Sequence, residues 1–244
     1  MTIQRFEYDC PVAVIGDIHG CAGLLESLLA ALGPDIPILV MGDLVDRGPD
    51  SKKVLDLLIA RGAKGVQGNH EEWFKMWVNR VGFDRFALAP VMGGAATLAS
   101  YGVRSTSTSD IESAAWRVPH THVDFVNSLA LIGDLKVMGK EYWMIHAGVS
   151  DKIPKEWRKA EMLIPSLAQY HRQDCLWGGH YPYKCPSISR PVIMGHMALK
   201  DGPLNLKRVI AIDTGAGFDD AFGLTAVVLP ERRFITVKHA SMDS

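Results

Sequence analysis

The sequence predicts an α/β fold in which two packed β-sheets carry helices on their outer faces. Three observations predict it. Short aliphatic runs alternate with amphipathic helical stretches over the first 70 residues. Three of those runs end at Gly16-Asp17, Gly42-Asp43 and Gly68-Asn69. The last part of the chain returns to short apolar runs separated by turn residues. Strand–helix alternation calls for a parallel sheet with right-handed crossovers. Closely spaced strands call for antiparallel pairing.

Val12-Ala13-Val14-Ile15 reads as a buried strand. Residues 21–32 place Leu24, Leu25, Leu28, Leu29 and Leu32 on one helical face, and Gly33-Pro34 stops that helix. Ile38–Met41 is the next strand. A helix over 51–61 follows, opened by Pro49-Asp50-Ser51 and closed by Gly62. Gly65-Val66-Gln67 is a third strand. Residues 71–140 have mostly helical apolar spacing, from Trp73, Phe74, Met76 and Trp77 to Phe125, Val126 and Leu129. They read as a helical insertion in a single domain spanning 1–244, with loops at Gly93-Gly94 and Ser105–Ser109. Strands resume at Tyr142–Ile145 and Pro191–Met194. Residues 209–212, 224–229 and 234–237 then suggest an antiparallel meander.

The chain has 244 residues, 48% hydrophobic and 22% charged, with a formal net charge of −1. A near-neutral balance excludes a global field for nucleic acid or an anionic membrane. The N-terminus shows no basic start followed by a long apolar segment, and runs such as Ile36–Met41 are too short to span a bilayer. Cys10, Cys21, Cys175 and Cys185 show no CxxC pairing and read as reduced thiols of a cytoplasmic protein, although Cys175 and Cys185 admit a labile disulfide. A monomer is expected.

Five motifs follow in order: Gly16-Asp17-Ile18-His19-Gly20, Gly42-Asp43-Leu44-Val45-Asp46-Arg47-Gly48, Gly68-Asn69-His70-Glu71, His146-Ala147-Gly148 and Gly195-His196. Singly each is weak. Gly-Asp pairs are common turn chemistry, and a lone buried histidine is usually a hydrogen-bonded core residue. Together they offer hard oxygen and imidazole ligands from successive strand ends, which suits manganese, iron or zinc. Asp17 and His19 are two apart, so both reach one side of their strand end. Asp43 sits at the neighbouring end and can bridge two ions. Asn69, His146 and His196 come from three further ends. Two cations about 3.5–4 Å apart clamp a phosphoryl group and activate a water for attack on it. His70, next to Asn69, is placed to protonate the leaving alkoxide. His120-Thr121-His122 has metal-like spacing, but beside Pro119 it reads as capping or solvated.

The set resembles the phosphoprotein phosphatase branch of the calcineurin-like metallophosphoesterases, nearest its bacterial and phage lambda-phosphatase-like members, over roughly residues 12–229. The resemblance implies a four-layer α-β-β-α sandwich of two mixed β-sheets flanked by helices. It implies a binuclear centre of two divalent ions, manganese first and iron, zinc or nickel as alternatives. Asp17, His19 and Asp43 would hold the first, with His196 or His146 helping; Asp43, Asn69, His146 and His196 would hold the second. Asp46 would orient the acid His70, Arg47 and Asn69 would bind phosphate, and Glu71 would cap or support. One departure stands out. Members of this branch carry a second phosphate-binding arginine shortly after a tryptophan, whereas this chain reads Leu176-Trp177-Gly178-Gly179-His180. Arg172, His180, Lys184 or Arg190 are the substitutes at hand. The implied activity is phosphatase action on phosphoserine and phosphothreonine, extending to phosphotyrosine and aryl phosphates, by direct attack of a metal-bridging water. The alternative is symmetrical dinucleoside tetraphosphate hydrolysis, which shares Arg47-Gly48-Pro49 but typically lacks an aspartate where Asp46 stands. Such a site needs base-stacking aromatics, and Tyr181 and Tyr183 are available. A binding module without catalysis would have lost ligands or the acid, and none is lost.

Overall fold

A computed structural model describes residues 3–150, 172–178, 182–184, 188–218 and 223–238. At its centre is β2 (Val12–Ile15), four consecutive buried residues. Such a run needs cover on both faces. Val12 and Val14 join one core with Leu39 and Met41, while Ala13 and Ile15 join another with Leu25 and Leu55. That division follows from the period-two geometry of a strand. β2 pairs parallel with β3 (Ile38–Val40), which pairs parallel with β4 (Lys64–Gly65). On the other side of β2, β10 (Gly223–Leu229) runs antiparallel and β11 (Arg233–Lys238) closes the sheet.

The second sheet has the order β1-β5-β6-β7-β9-β8. Its members are β1 (Ile3–Tyr8), β5 (Ile132–Val137), β6 (Lys140–Ile145), β7 (Val192–Met194), β8 (Leu204–Asn205) and β9 (Val209–Ala211). Val14, Leu39, Leu135, Met144, Ile193 and Val227 fill the space between the sheets. Helices α1 (Ala22–Leu32), α2 (Ser51–Ala60), α3 (His70–Val78), α4 (Gly94–Ser100), α5 (Thr108–Ala114) and α6 (His120–Ser128) share one core with the outer face of the five-stranded sheet. α7 (Arg172–Trp177) packs Cys175 and Leu176 against the outer face of the other. The layers are therefore α-β-β-α with two mixed sheets. Among the described residues no helix is long and apolar enough to cross a membrane.

Local chemistry explains the helix ends. Leu24, Leu25, Leu28 and Leu29 are the buried stripe of α1, and Gly33 follows with a φ of 82°. Asp50 caps α2 by accepting the Lys53 backbone N–H at 3.1 Å.

Three sequence expectations need correction, and one strand had no sequence signal. The helical insertion does not run to residue 140: its last helix ends at Ser128, and β5 occupies Ile132–Val137. Leu135 and Val137 there alternate with Asp134 and Lys136, a period too short to stand out beside the preceding helices. The three final runs are not one meander. β9 pairs parallel with β7 in the other sheet, Ile193 facing Ile210, and only β10 and β11 form a hairpin. β1 was not expected, because Gln4, Arg5 and Glu7 leave Phe6 as its one buried residue. His122 is neither capping nor solvated but buried, between the Tyr101 hydroxyl at 2.7 Å and Asp56 at 2.8 Å. Cys185, His180 and Tyr181 lie outside the described residues.

Candidate metal centre

Loops after β2, β3, β4, β6 and β7 carry Asp17, Asp43, Asn69, His146 and His196 to one edge of the sandwich. Open α/β sheets bind ligands at the carboxyl ends of their strands. The backbone there is unusual. Eight non-glycine residues among those described have positive φ, and His19, Asp43, Asp46, Arg47 and His196 are five of them. Strain of this kind persists only where surroundings enforce it, and it gathers at functional sites.

Asp43 is the hub. Its Oδ2 lies 3.3 Å from His146 Nε2, 3.7 Å from His19 Nε2 and 3.9 Å from His70 Nε2. Two groups of potential ligands share it: His19, Asp43 and His70, and Asp43, His146 and His196. Asn69 Oδ1 joins the second group, 3.1 Å from His146 Nε2 and 3.0 Å from His196 Nδ1. Asp17 adjoins it, because Asp17 Oδ2 accepts the His196 backbone N–H at 2.9 Å. All six residues expected as ligands are thus brought together. Second contacts set the tautomers. His19 Nδ1 donates to the Val45 carbonyl at 3.0 Å and His146 Nδ1 to the Met41 carbonyl at 2.8 Å, which turns each Nε2 toward Asp43. Glu71 is fully occupied as a support: its carboxylate accepts the backbone N–H groups of Asp43, Leu44 and Gly68 at 2.7–2.8 Å.

The residues fit divalent cations. Asp17 Oδ1 is buried and has no hydrogen-bond partner among the described residues. Burial, with Asp213 beside it, lifts Asp17 well above the usual carboxylate range. Burial also raises Asp213 to about 6, with Asp43 adding to it. Burial opposes charge on Asp43, but His146 and His70 outweigh it and hold that carboxyl well below its usual range. The same pairing works against burial at His146, which Asp43 and Asp17 push up to about 10. Burial keeps His19 well below the ordinary imidazole value and takes His196 down to about 4. Asp17, Asp43 and Asp213 crowd one dry site, a set of carboxylates that a bound divalent cation would compensate. The donor set of oxygen and imidazole nitrogen is that of a hard or borderline divalent ion.

Beside the cluster, His70 Nδ1 donates to Asp46 Oδ2 at 2.6 Å. Burial disfavours a charged His70, but Asp43 and the hydrogen bond to Asp46 outweigh it and raise the ring above its ordinary value. Trp73 Nε1 donates to the same Asp46 oxygen at 2.8 Å, and the Thr97 hydroxyl donates to the other at 2.7 Å. Arg47 Nη1 touches His19 Nε2, and its guanidinium lies 4.0 Å from the ring centroid of Phe218, which is 54% exposed. Trp73, Thr97 and Phe218 carry no motif. Only the folded chain shows what they touch. Among the proposed substitutes for a second arginine, Arg172 stands 3.5 Å from Glu72 on α3. Arg190 is tied to Asp134 at 2.8 Å and Glu141 at 3.2 Å. His180 and the Lys184 side chain lie outside the described residues.

Gly68 sets the spacing of the centre. A Cβ there would stand 2.1 Å from Asp43 Oδ1. Gly68→Ala should displace the Asp43 carboxylate, destabilise the protein by about 1–3 kcal/mol and lower its bound metal. Thermal melts and elemental analysis of the purified variant check both. Wild-type metal content and melting temperature would refute the packing argument.

The calcineurin-like phosphoesterase family matches residues 10–206. The chain is 26% identical over 252 aligned positions, covering 93% of it and 91% of the relative, to the asymmetrical bis(5'-nucleosyl)-tetraphosphatase PrpE of Oceanobacillus iheyensis. It is 43% identical over 65 residues to a symmetrical bis(5'-nucleosyl)-tetraphosphatase of Ralstonia nicotianae, a match spanning 23% of that relative. It is 47% identical over 64 residues to serine/threonine-protein phosphatase 1 of Salmonella typhimurium, spanning 30% of that relative. Among solved structures, a serine/threonine phosphatase of Saccharomyces cerevisiae superposes with a TM-score of 0.59 at 17% identity, over 100% of this chain and 84% of that one. A protein provisionally described as a diadenosine tetraphosphatase does so with a TM-score of 0.66 at 22% identity, over 98% and 99%.

Proposed function

Because the chain belongs to the calcineurin-like phosphoesterases, and so is a phosphoester hydrolase of a family that uses divalent metals, we propose that it is a phosphoprotein phosphatase. Its substrates are phosphoserine and phosphothreonine monoesters, with phosphotyrosine and aryl phosphates accepted. Asp17, His19 and Asp43 would hold one ion and Asp43, Asn69, His146 and His196 the other, with manganese the first choice. Bound there, two such ions supply Lewis acidity at the phosphoryl oxygens and hydroxide at neutral pH.

The chain's own groups do the rest. Arg47 offers a planar fork to the non-bridging oxygens, and the Asn69 amide is a further donor. His70 carries a proton at Nε2 and delivers it to the leaving alkoxide. Asp46 keeps the other ring nitrogen protonated and the ring in place. That buried acid is the observation that carries this reading. An alkoxide is a strong base and needs a proton to leave, whereas a phosphate leaving from an anhydride does not.

A second reading, hydrolysis of symmetrical dinucleoside tetraphosphates, is favoured by the exposed Phe218 ring beside Arg47, a surface on which a base could stack. The near full-length similarity to an asymmetrical bis(5'-nucleosyl)-tetraphosphatase supports phosphoanhydride hydrolysis in general, and the symmetrical relative is matched over 65 residues. Manganese-loaded protein should show a higher kcat/KM on a phosphothreonine peptide than on diadenosine tetraphosphate. Preference for the dinucleotide would overturn the phosphatase reading in favour of the anhydride one.

A further inference from the structure

Helix α4 lies in the helical insertion, well away in sequence from every motif, yet it sends a fully buried hydroxyl to Asp46, the partner of the acid. We infer that Thr97 is a positioning residue for His70, acting through Asp46, and that this is how the insertion serves the reaction. The inference rests on the reading of His70 as the general acid.

The hydrogen-bond inventory is complete and leaves no slack. A hydroxyl has one donor and two lone pairs. Thr97 Oγ1 donates to Asp46 Oδ1 at 2.7 Å. It accepts the Asp46 backbone N–H at 2.8 Å, and the Ser51 hydroxyl, 2.8 Å away, donates to its remaining lone pair. The Asp46 N–H is shared with Ser51 Oγ at 3.1 Å. One residue thus grips both the backbone and the carboxylate of Asp46, whose φ of 76° is an uncommon left-handed conformation that these bonds help to hold. With Oδ2 engaged by His70 and Trp73, the carboxylate plane is fixed from both ends. A fixed carboxylate fixes the imidazole, and so the direction in which its Nε2 proton is offered. Arg47 gains a similar hold from the loop just before α4. Its backbone N–H donates to the Gly93 carbonyl at 3.2 Å, and a Cβ on Gly93 would stand 2.7 Å from that nitrogen.

Valine has the shape of threonine without the hydroxyl. In Thr97→Val one buried carboxylate oxygen loses its donor, so the carboxylate is free to turn and the acid with it. A defect in proton delivery has a signature that general loosening lacks. It slows substrates with basic leaving groups and largely spares those with good ones.

The test measures kcat and KM for wild type, Thr97→Val, Thr97→Ser and His70→Asn on a phosphoserine peptide and on p-nitrophenyl phosphate, with bound metal measured for each. Thr97→Val should lose about tenfold or more in kcat on the peptide, part of the 10²–10⁴ that an acid supplies. It should keep its KM and metal content, and lose much less on the aryl ester. Thr97→Ser should recover most of the peptide rate. Equal losses on both substrates, no loss on either, or a serine variant as slow as the valine one would overturn the role of Thr97. If Thr97→Val does not fold, Thr97→Ala is read in the same way. His70→Asn separates the two claims. Should it fail to discriminate between the substrates, the acid reading falls and takes the inference with it. Should it discriminate while the Thr97 variants do not, only the inference falls.

Discussion

Asp43→Asn should remove metal and turnover together. Asp43 Oδ2 faces the Nε2 atoms of three histidines, and Oδ1 accepts the His70 backbone N–H at 3.0 Å. An amide keeps the size but removes the charge and sets a donor where a lone pair stood. The loss in kcat/KM should be on the order of 10³-fold or more, the upper range for deleting one preorganised charge-stabilising group. Stability supplies an independent readout. A ligand that binds only the folded state adds about 2.7 kcal/mol at 100 times its Kd. Manganese should therefore raise the melting temperature of the metal-stripped wild type and leave the variant flat. A variant that kept two ions and normal turnover would remove Asp43 from the centre.

His70→Asn should separate binding from proton delivery. Its loss on a phosphoserine peptide should be about 10²–10⁴-fold, with metal retained. The fall on an aryl phosphate should be far smaller, because a nitrophenolate departs unprotonated. The His70 ring sits against Asp46, with Nε2 toward Asp43, so asparagine vacates the proton donor while the neighbouring ligands keep their hydrogen bonds. Full rate on the peptide would show that His70 has a structural role only.

Much of this was legible in the chain because strand ends announce themselves. An aliphatic run that stops at Gly-Asp or Gly-Asn gives both a strand and the direction of its loop, so the three early motifs fell at the right edge. The order of the later strands was hidden. Val209–Ala211 and Gly223–Leu229 look like neighbours in sequence, but the loop carrying Asp213 and Gly215 takes the chain from one sheet to the other. The supports of the acid were hidden for a different reason. Thr97 and Trp73 matter only through where tertiary packing puts them, 51 and 27 residues from Asp46. A lone threonine in an amphipathic helix has no pattern to read. Asp213 belongs to none of the five motifs, and only the fold shows it buried beside Asp17.

The hydrogen bond from the His196 backbone to Asp17 joins residues 179 apart and links the two sheets. Neither the first three motifs nor the last two can build the centre by themselves. During synthesis, a nascent chain that has already formed the β2–β3–β4 unit exposes carboxylates with no imidazoles from the other sheet to balance them. Competence to capture an ion should arrive late and abruptly, when the two sheets dock. Contacts of such long range fold slowly, so the centre should be complete only once the two sheets have paired. A fragment ending after Ala130 should bind manganese only weakly, however well its own strands pair.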